Sequence, residues 1–422
     1  MRVLPAQRPH LPGTAGAAAP AAGAPTDPPM TPATPPATTA ALPVDTPVDT
    51  PVTTPVTQTA TAAATSTPLT NAAAAINWPD SAREAAFWQW FNPLAQTHGL
   101  QADTLVPASA DASFRRYFRV RGDDGNSRIV MDAPPPQEDV RPFVDVAGRI
   151  HAAGLHAPAV LAADAVQGFV LLADLGDRLY LPVLQQAEPA EADRLMRDAV
   201  AALVHWQCQV DGSGLPAYDS ALLRRELALF PEWCVGREHG ITWSGQQQAT
   251  WDKLCNTLVA SALAQPVVTV HRDWMPRNLM VATPNPGILD FQDAVTGPVT
   301  YDIASLLRDA FLSWDEALEI DWAARWWQQA RAAGLLGEHP MASDFGECWR
   351  AIEWMGLQRH LKILGIFCRL KHRDGKPAYA ADLPRFFAYA SKVALRYREL
   401  KPLIALIEPM TGSLTTTGFS MR

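Results

Sequence analysis

From about residue 77 onward, apolar residues recur first in short runs and later at helical spacing, and that switch predicts the architecture. Ala86, Phe87, Trp90 and Phe91 share one face of a helix running from Ser81, its expected cap, to about His98. Two strand-like runs follow, 114–120 and 128–131, joined by the turn Gly122-Asp123-Asp124-Gly125-Asn126 and ended by the prolines at 134–136. Residues 142–153 read as a helix, and 160–161 and 168–172 as two further strands. Beyond Glu188 the period becomes helical, with helices expected at 191–209, 218–238, 244–264, 300–311, 315–334, 343–369 and 382–398. Two short apolar strands, 267–270 and 287–289, interrupt that series. Strands grouped first and helices grouped afterwards give an α+β chain, not an alternating βαβ one. The expected division is a sheet-rich lobe at 77–175, a helical lobe at 176–410 and a flexible tail at 411–422.

Residues 1–76 follow neither period. They hold 15 of the 37 prolines, are otherwise mainly Ala and Thr, and repeat Pro-Val-Asp-Thr at 43–46 and 47–50. With few large apolar groups to bury, such a segment cannot offset its ordering entropy, so disorder with extended polyproline character is expected.

Composition narrows the function. A net charge of -8 disfavours a general nucleic-acid binder. The chain has no run of 18 apolar residues, so neither a membrane span nor a membrane partner is expected. No leucine-rich stretch follows Arg2 and Arg8, so a secretory leader is not expected either. The five cysteines are widely spaced and include no C-x-x-C, which fits free thiols in a reducing cytoplasm. A monomer is expected.

The chemistry concentrates in VVTVHRDWMPRNLMV and GILDFQDAVTGPVTYDIAS, between Val267 and Ser305. The first strand delivers His271-Arg272-Asp273, with Asn278 five residues past Asp273; the second delivers Asp290. Phosphoryl transfer asks for this set: a carboxylate to orient the acceptor hydroxyl and take its proton, and oxygen ligands for Mg²⁺ beside ATP phosphates. Asp273 suits the base role, and Asn278 and Asp290 the metal. A turn cap or a hairpin brace would explain Asp273 or Asp290 taken singly; the ordered spacing H-R-D-x-x-x-x-N followed by a strand-borne Asp-Phe favours the chemistry.

These motifs resemble the aminoglycoside phosphotransferase family, the small-molecule branch of the protein-kinase-like fold, over about residues 80–400. The resemblance implies a bilobal α+β fold, with a small antiparallel-sheet lobe and a large helical lobe, and it implies use of ATP and Mg²⁺. The phrases DASFRRYFRV, IVMDAPP, LDFQDAVTGPVTYDIASLLRD and LQRHLKILGIFCRL look like the branch that phosphorylates cell-wall amino sugars on the C1 hydroxyl. Within the family, the connector after the last strand of the small lobe contacts the adenine through its backbone, which implies Ala173, Asp174 and Leu175 here.

Two family features are absent. No G-x-G-x-x-G precedes the first strand; Pro107 to Ser113 stands there, and Ser113 can donate its hydroxyl to a phosphate. Strand 129–132 has no lysine, so a phosphate-clamping cation comes from elsewhere or is dispensed with; Arg115 and Arg116 are the candidates, Arg116 is assigned to the nucleotide here, and at least one of the two is expected to be a solvated edge charge. Residues 357–376 carry Arg359, Lys362, Arg369, Lys371, Arg373 and Lys376 against Asp374, which favours an anionic or neutral acceptor such as an acetylated amino sugar over a cationic one. Gln358 and Arg359 are the expected acceptor contacts, while Lys362, Arg369 and Lys376 suit a solvated helix face. The abundant tryptophans suit packing between helices better than sugar stacking.

Overall fold

The computed structural model describes residues 76–110 and 114–411. The expected disordered extension, the expected tail and Ser113 lie outside the described residues.

Helix α1 (Ser81–Thr97) is capped by Asp80, not Ser81: the Asp80 carboxylate accepts from the Arg83 N–H at 2.7 Å. A five-stranded antiparallel sheet follows in the order β1-β2-β3-β5-β4. Its strands are β1 (Leu100–Ala110), β2 (Arg116–Gly122), β3 (Ser127–Asp132), β4 (Val160–Asp164) and β5 (Phe169–Ala173). β1 was not expected from the sequence. Its pairing with β2 slips between Gln101 and Val106 and again between Pro107 and Ser109, which breaks the two-residue alternation that announces a strand. Pro107 to Ala110 are therefore strand, not loop.

The two sheet faces do different work. Phe118, Val120, Val130, Phe169 and Leu171 pack with Phe87 and Phe91 of α1 in a separate small core. Arg116 and Asp132 point to this same side, because side chains two apart along a strand share a face. The fully buried Asp132 carboxylate accepts from both Arg83 and Arg116, and Arg116 also donates to the Asn77 carbonyl at 2.9 Å. The assignment of Arg116 to the nucleotide is thus corrected: strand geometry turns it away from the cleft. Arg115 pairs with Glu138 at 3.0 Å.

The opposite face, with Tyr117, Arg119, Ile129, Met131 and Leu172, looks toward the rest of the chain. Helix α2 (Arg141–Ala152) buries Phe143, Val146, Ala147 and Ile150, and these join Met131 and Leu172 in the main core.

The helical part comprises α3 (Tyr180–Leu184), α4 (Pro189–Gln209), α5 (Ser220–Leu229), α6 (Gly245–Leu263), α7 (Tyr301–Leu307), α8 (Glu316–Ala332), α9 (Phe345–His372), α10 (Leu383–Arg396) and α11 (Leu403–Thr411). α5 continues as a π-helical segment, Phe230–Glu238, packed on α9. Gly365 of α9 permits that approach, since a Cβ there would lie 2.5 Å from the Leu229 carbonyl oxygen. Trp322 and Trp326 are fully buried between helices, in line with the packing expectation. All five cysteines are unbonded and four are buried, also as expected. Two small antiparallel pairs sit among the helices: β6 (Val267–Val270) with β9 (Val295–Pro298), and β7 (Leu279–Met280) with β8 (Gly287–Ile288). β9 runs through Gly297 and Pro298. Thr300 makes no cap; its hydroxyl donates to Gln265 at 2.7 Å.

Candidate active site

β6 ends in the main core and hands its chain to His271-Arg272-Asp273. Arg272 lies in the left-handed region at φ 76°, which costs a non-glycine residue about 1–2 kcal/mol. Asp302, in the first turn of α7, holds this turn in place: its carboxylate accepts from the His271 N–H at 2.7 Å and the Arg272 N–H at 2.9 Å. Burial pushes the Asp302 carboxyl up to about 7, against the opposing pull of those two N–H bonds. Asp302 therefore braces the loop, in keeping with its omission from the expected catalytic set.

The His271 ring ties the two polar loops together. Its Nε2 faces the Leu289 carbonyl at 3.0 Å, and its Nδ1 accepts from the Asp273 N–H at 3.3 Å. Burial lowers its pKa to about 4, so the ring is neutral, with Nε2 as donor. Asn278 makes the second tie. Its side-chain amide donates to the Asp273 carbonyl at 3.0 Å and to Asp290 Oδ2 at 3.3 Å. Asp290, itself left-handed at φ 60°, also accepts from Gln292 at 2.8 Å. The loops after β6 and β8 thus bring Asp273, Asn278 and Asp290 together, as their spacing predicted.

The Asp273 carboxylate is half-buried. Burial opposes its ionisation, but Arg359, Lys362, His271 and Arg272 outweigh that and hold its pKa below the ordinary carboxylate value. Arg359, almost fully buried on α9, places its guanidinium 3.5 Å from Asp273 Oδ1. Behind it Glu226 acts as a hub, pairing with Arg272 at 2.9 Å and Lys362 at 2.8 Å and accepting from Gln358 at 3.2 Å. Burial raises the Glu226 pKa, yet the two cations and the Tyr218 hydroxyl bring it down to about 2. Lys362 is therefore not on a solvated face. Of the two expected acceptor contacts, Arg359 reaches the site, whereas Gln358, turned about 100° further round the helix, points into the Glu226 hub.

Two cavities meet at this loop. One, of about 440 Å³, lies under the sheet, with Ile129 and Leu172 above, Met280 and Leu289 below, and the Ala173–Gly176 connector along its edge. Asn278 and Asp290 line its inner end. Ala173 and Leu175 line it. The Asp174 side chain is committed elsewhere, accepting from Ser127 at 2.6 Å and from Arg119 Nη2 at 3.0 Å, so it stiffens the connector. The second cavity, about 480 Å³, is walled by Leu179, Arg277, Phe311, Tyr379 and Asp382. Leu179 and Arg277 belong to both.

Glu226, Arg277 and Phe311 were not legible as site residues. Glu226 and Phe311 sit in ordinary helical or loop sequence with no local motif. Arg277 was visible inside the H-R-D-x-x-x-x-N spacer, immediately before the metal-ligand candidate, and adjacency was the signal to use.

Asn278 and Asp290 fit a magnesium ion that also binds phosphates. With the Asn278 amide nitrogen turned to Asp273 and Asp290, its carbonyl oxygen is the face left for a cation, and Asp290 adds an anionic oxygen. Among the described residues no group of three or more His, Cys, Asp or Glu forms a metal site by itself. No helix among the described residues is long and apolar enough to cross a membrane.

Known proteins were compared with this chain. A solved choline kinase, LicA from Streptococcus pneumoniae, superposes with TM-score 0.51 at 9% identity, covering 74% of this chain and 100% of its own. A solved aminoglycoside phosphotransferase, APH(2'')-Ib in its ADP-bound form, gives TM-score 0.50 at 12% identity, covering 72% and 98%. At such identities these likenesses speak for the fold alone, and the fold is the bilobal kinase-like one expected. Sequence relatives are much nearer. The N-acetylmuramate/N-acetylglucosamine kinase of Pseudomonas putida is 53% identical over 72% of this chain and 88% of its own length. The protein of the same name from Neisseria meningitidis is 45% identical over 75% and 93%. A family model described as "Phosphotransferase enzyme family" matches residues 104–342, more than half of the chain. With that match laid over the Asp273, Asn278 and Asp290 constellation, the chain belongs to the phosphotransferase enzyme family.

Proposed function

We propose that this protein transfers the γ-phosphoryl group of ATP to the C1 hydroxyl of N-acetylmuramate and N-acetylglucosamine, in cytoplasmic recycling of cell-wall sugars. The observation that carries the reaction class is the convergence of Asp273, Asn278 and Asp290, the last two lining the cavity under the sheet. The names of the relatives at 45% and 53% identity carry the acceptor.

ATP enters the cavity under the sheet. Its adenine lies between Ile129 and Leu172 on one side and Met280 and Leu289 on the other, with its edge bonded to backbone groups of Ala173 to Leu175. Asn278 and Asp290 would hold Mg²⁺, which would supply positive charge to offset that of the phosphates. The sugar occupies the second cavity, with its C1 hydroxyl directed at Asp273. The hydroxyl oxygen bonds to the γ-phosphorus, the bond from that phosphorus to the β–γ bridging oxygen breaks, the proton passes to the Asp273 carboxylate, and ADP leaves. A carboxylate held below its ordinary pKa is a weak base, which suffices: in a loose phosphoryl-transfer transition state the attacking oxygen gains little positive charge until late. Positioning and electrostatics supply the rate. Arg359 steadies Asp273 and adds positive charge near an acceptor that carries a carboxylate in N-acetylmuramate.

Purified protein with Mg-ATP and each of N-acetylmuramate, N-acetylglucosamine, choline and kanamycin, followed by ADP release, tests this. Turnover of the two acetylated sugars is expected, with a 1-phosphate product by ³¹P NMR. Turnover of choline or kanamycin instead would keep the chemistry and remove the acceptor assignment.

A further inference from the structure

Every phosphoryl-transfer site needs a cation on the phosphates besides the metal, and the sheet does not supply one. Strand β3 has no lysine, and Met131 on its cleft side is fully buried in the main core. Of the arginines of the sheet, Arg116 pairs with Asp132, Arg115 with Glu138, Arg119 with Asp174 and Arg128 with Asp124, and the exposed Arg121 lines neither cavity. On the helical side Lys362 is held by Glu226 and Arg359 lies against Asp273.

Arg277 differs from all of these. It is exposed, and among the described residues it makes no ion pair; its guanidinium rests over the Phe311 ring, 5.0 Å from the centroid. It lines both cavities. It sits next to Asn278 and four residues beyond Asp273, in a short 3-10 turn, Pro276–Asn278, that fixes its backbone while leaving the side chain free to swing. We propose that Arg277 is the phosphate-clamping cation of this enzyme, moving from Phe311 onto the γ-phosphoryl group where the two cavities meet. From the catalytic loop it supplies a phosphate-binding cation that the lysine-free strand β3 does not. The inference rests on the reading of the chain as an ATP-dependent kinase. A planar guanidinium donates two parallel N–H bonds to a phosphate, and a cation on the transferring group is worth most in the transition state. Since the γ-phosphate distinguishes ATP from ADP, Arg277 discriminates between them.

The test is Arg277→Gln and Arg277→Lys, with steady-state ADP release and calorimetric titration of Mg-ATP and Mg-ADP without acceptor. Because Arg277 is exposed, both variants keep the thermal stability of the parent. Arg277→Gln is expected to lose about 10²- to 10³-fold in kcat. Its ATP affinity falls about tenfold while its ADP affinity stays within twofold, and Arg277→Lys recovers part of kcat because the charge remains. A parent protein that turns over while Arg277→Gln keeps its kcat and its ATP preference overturns the inference and leaves the kinase reading standing. So does an effect confined to a higher KM for N-acetylmuramate, which would assign Arg277 to the acceptor carboxylate. A parent protein that binds no Mg-ATP overturns both.

Discussion

The sheet lobe and the helical lobe solve the burial of charge in opposite ways. On the cleft side of the sheet the space a lysine would fill is apolar, with Met131 and Phe143 in one continuous core. Beneath the catalytic loop the helical lobe buries Glu226, Asp302, Arg359 and Lys362 together. A buried charge is tolerated only when it is paired and hydrogen-bonded, so the helical lobe has concentrated that cost where the reacting oxygen must be positioned. The nucleotide side relies on shape and backbone, the acceptor side on a fixed electrostatic scaffold.

Four measurements would break or sharpen that contrast. Asp273→Ala should lower kcat by about 10³-fold or more while Mg-ATP affinity changes by less than about threefold; calorimetry beside ADP release reads both, and a parallel loss of ATP binding would erase the division of labour between the sides. Asp302→Ala leaves the His271 and Arg272 N–H groups buried without their acceptor, at a cost of roughly 2–4 kcal/mol in urea unfolding and with the loop geometry lost. Asp302→Asn, which keeps one oxygen acceptor, should cost less.

Acid titration comes next. Burial lowers His271 to about 4 and His360 to about 3, against an ordinary value of 6.5. Between pH 6.5 and about 4.5 these two histidines take up protons in the unfolded chain that they refuse in the folded one, so their contribution to stability falls as pH falls through that window, opposed by Asp302, whose raised carboxyl is protonated first in the folded chain. His271 accounts for roughly 3 kcal/mol of that at most. A His271→Gln variant with the parent's slope between pH 7 and 4.5 would show the ring to be no part of it. The smallest effect is expected at the sheet: Arg116→Ala should cost about 1–2 kcal/mol, since Arg83 still pairs Asp132, and should leave the KM for ATP within twofold. A tenfold rise in that KM would return Arg116 to the nucleotide site.

The same contrast explains what could be read from the sequence. Asp273, Asn278 and Asp290 were legible because two short loops carry them, each fixed by its own strand, so linear spacing becomes geometry directly. Helices α4 to α10 were legible because the burial of one face imposes a period. β1 was not, since its bulges erase the period. Nor was the orientation of Arg116, because a run of two arginines entering β2 gives no reference for which one faces the cleft until pairing with β3 sets the register. Gln358 and Arg359 show the same limit on a helix: neighbours in sequence diverge by about 100°, and only Arg359 reaches Asp273. The Glu226 hub joins residues up to 136 apart in the chain, and nothing local announces it.

Phe143 of α2 rests on Phe291 with ring centroids 4.7 Å apart, both in the core that holds Met131. In protein kinases the corresponding helix and strand meet through a lysine–glutamate ion pair, and making or breaking that pair turns activity on or off. An apolar weld has no such hinge of charge: to swing α2 outward would mean opening the core itself. The position of α2 is therefore set by packing, and any displacement of it would expose apolar surface to water.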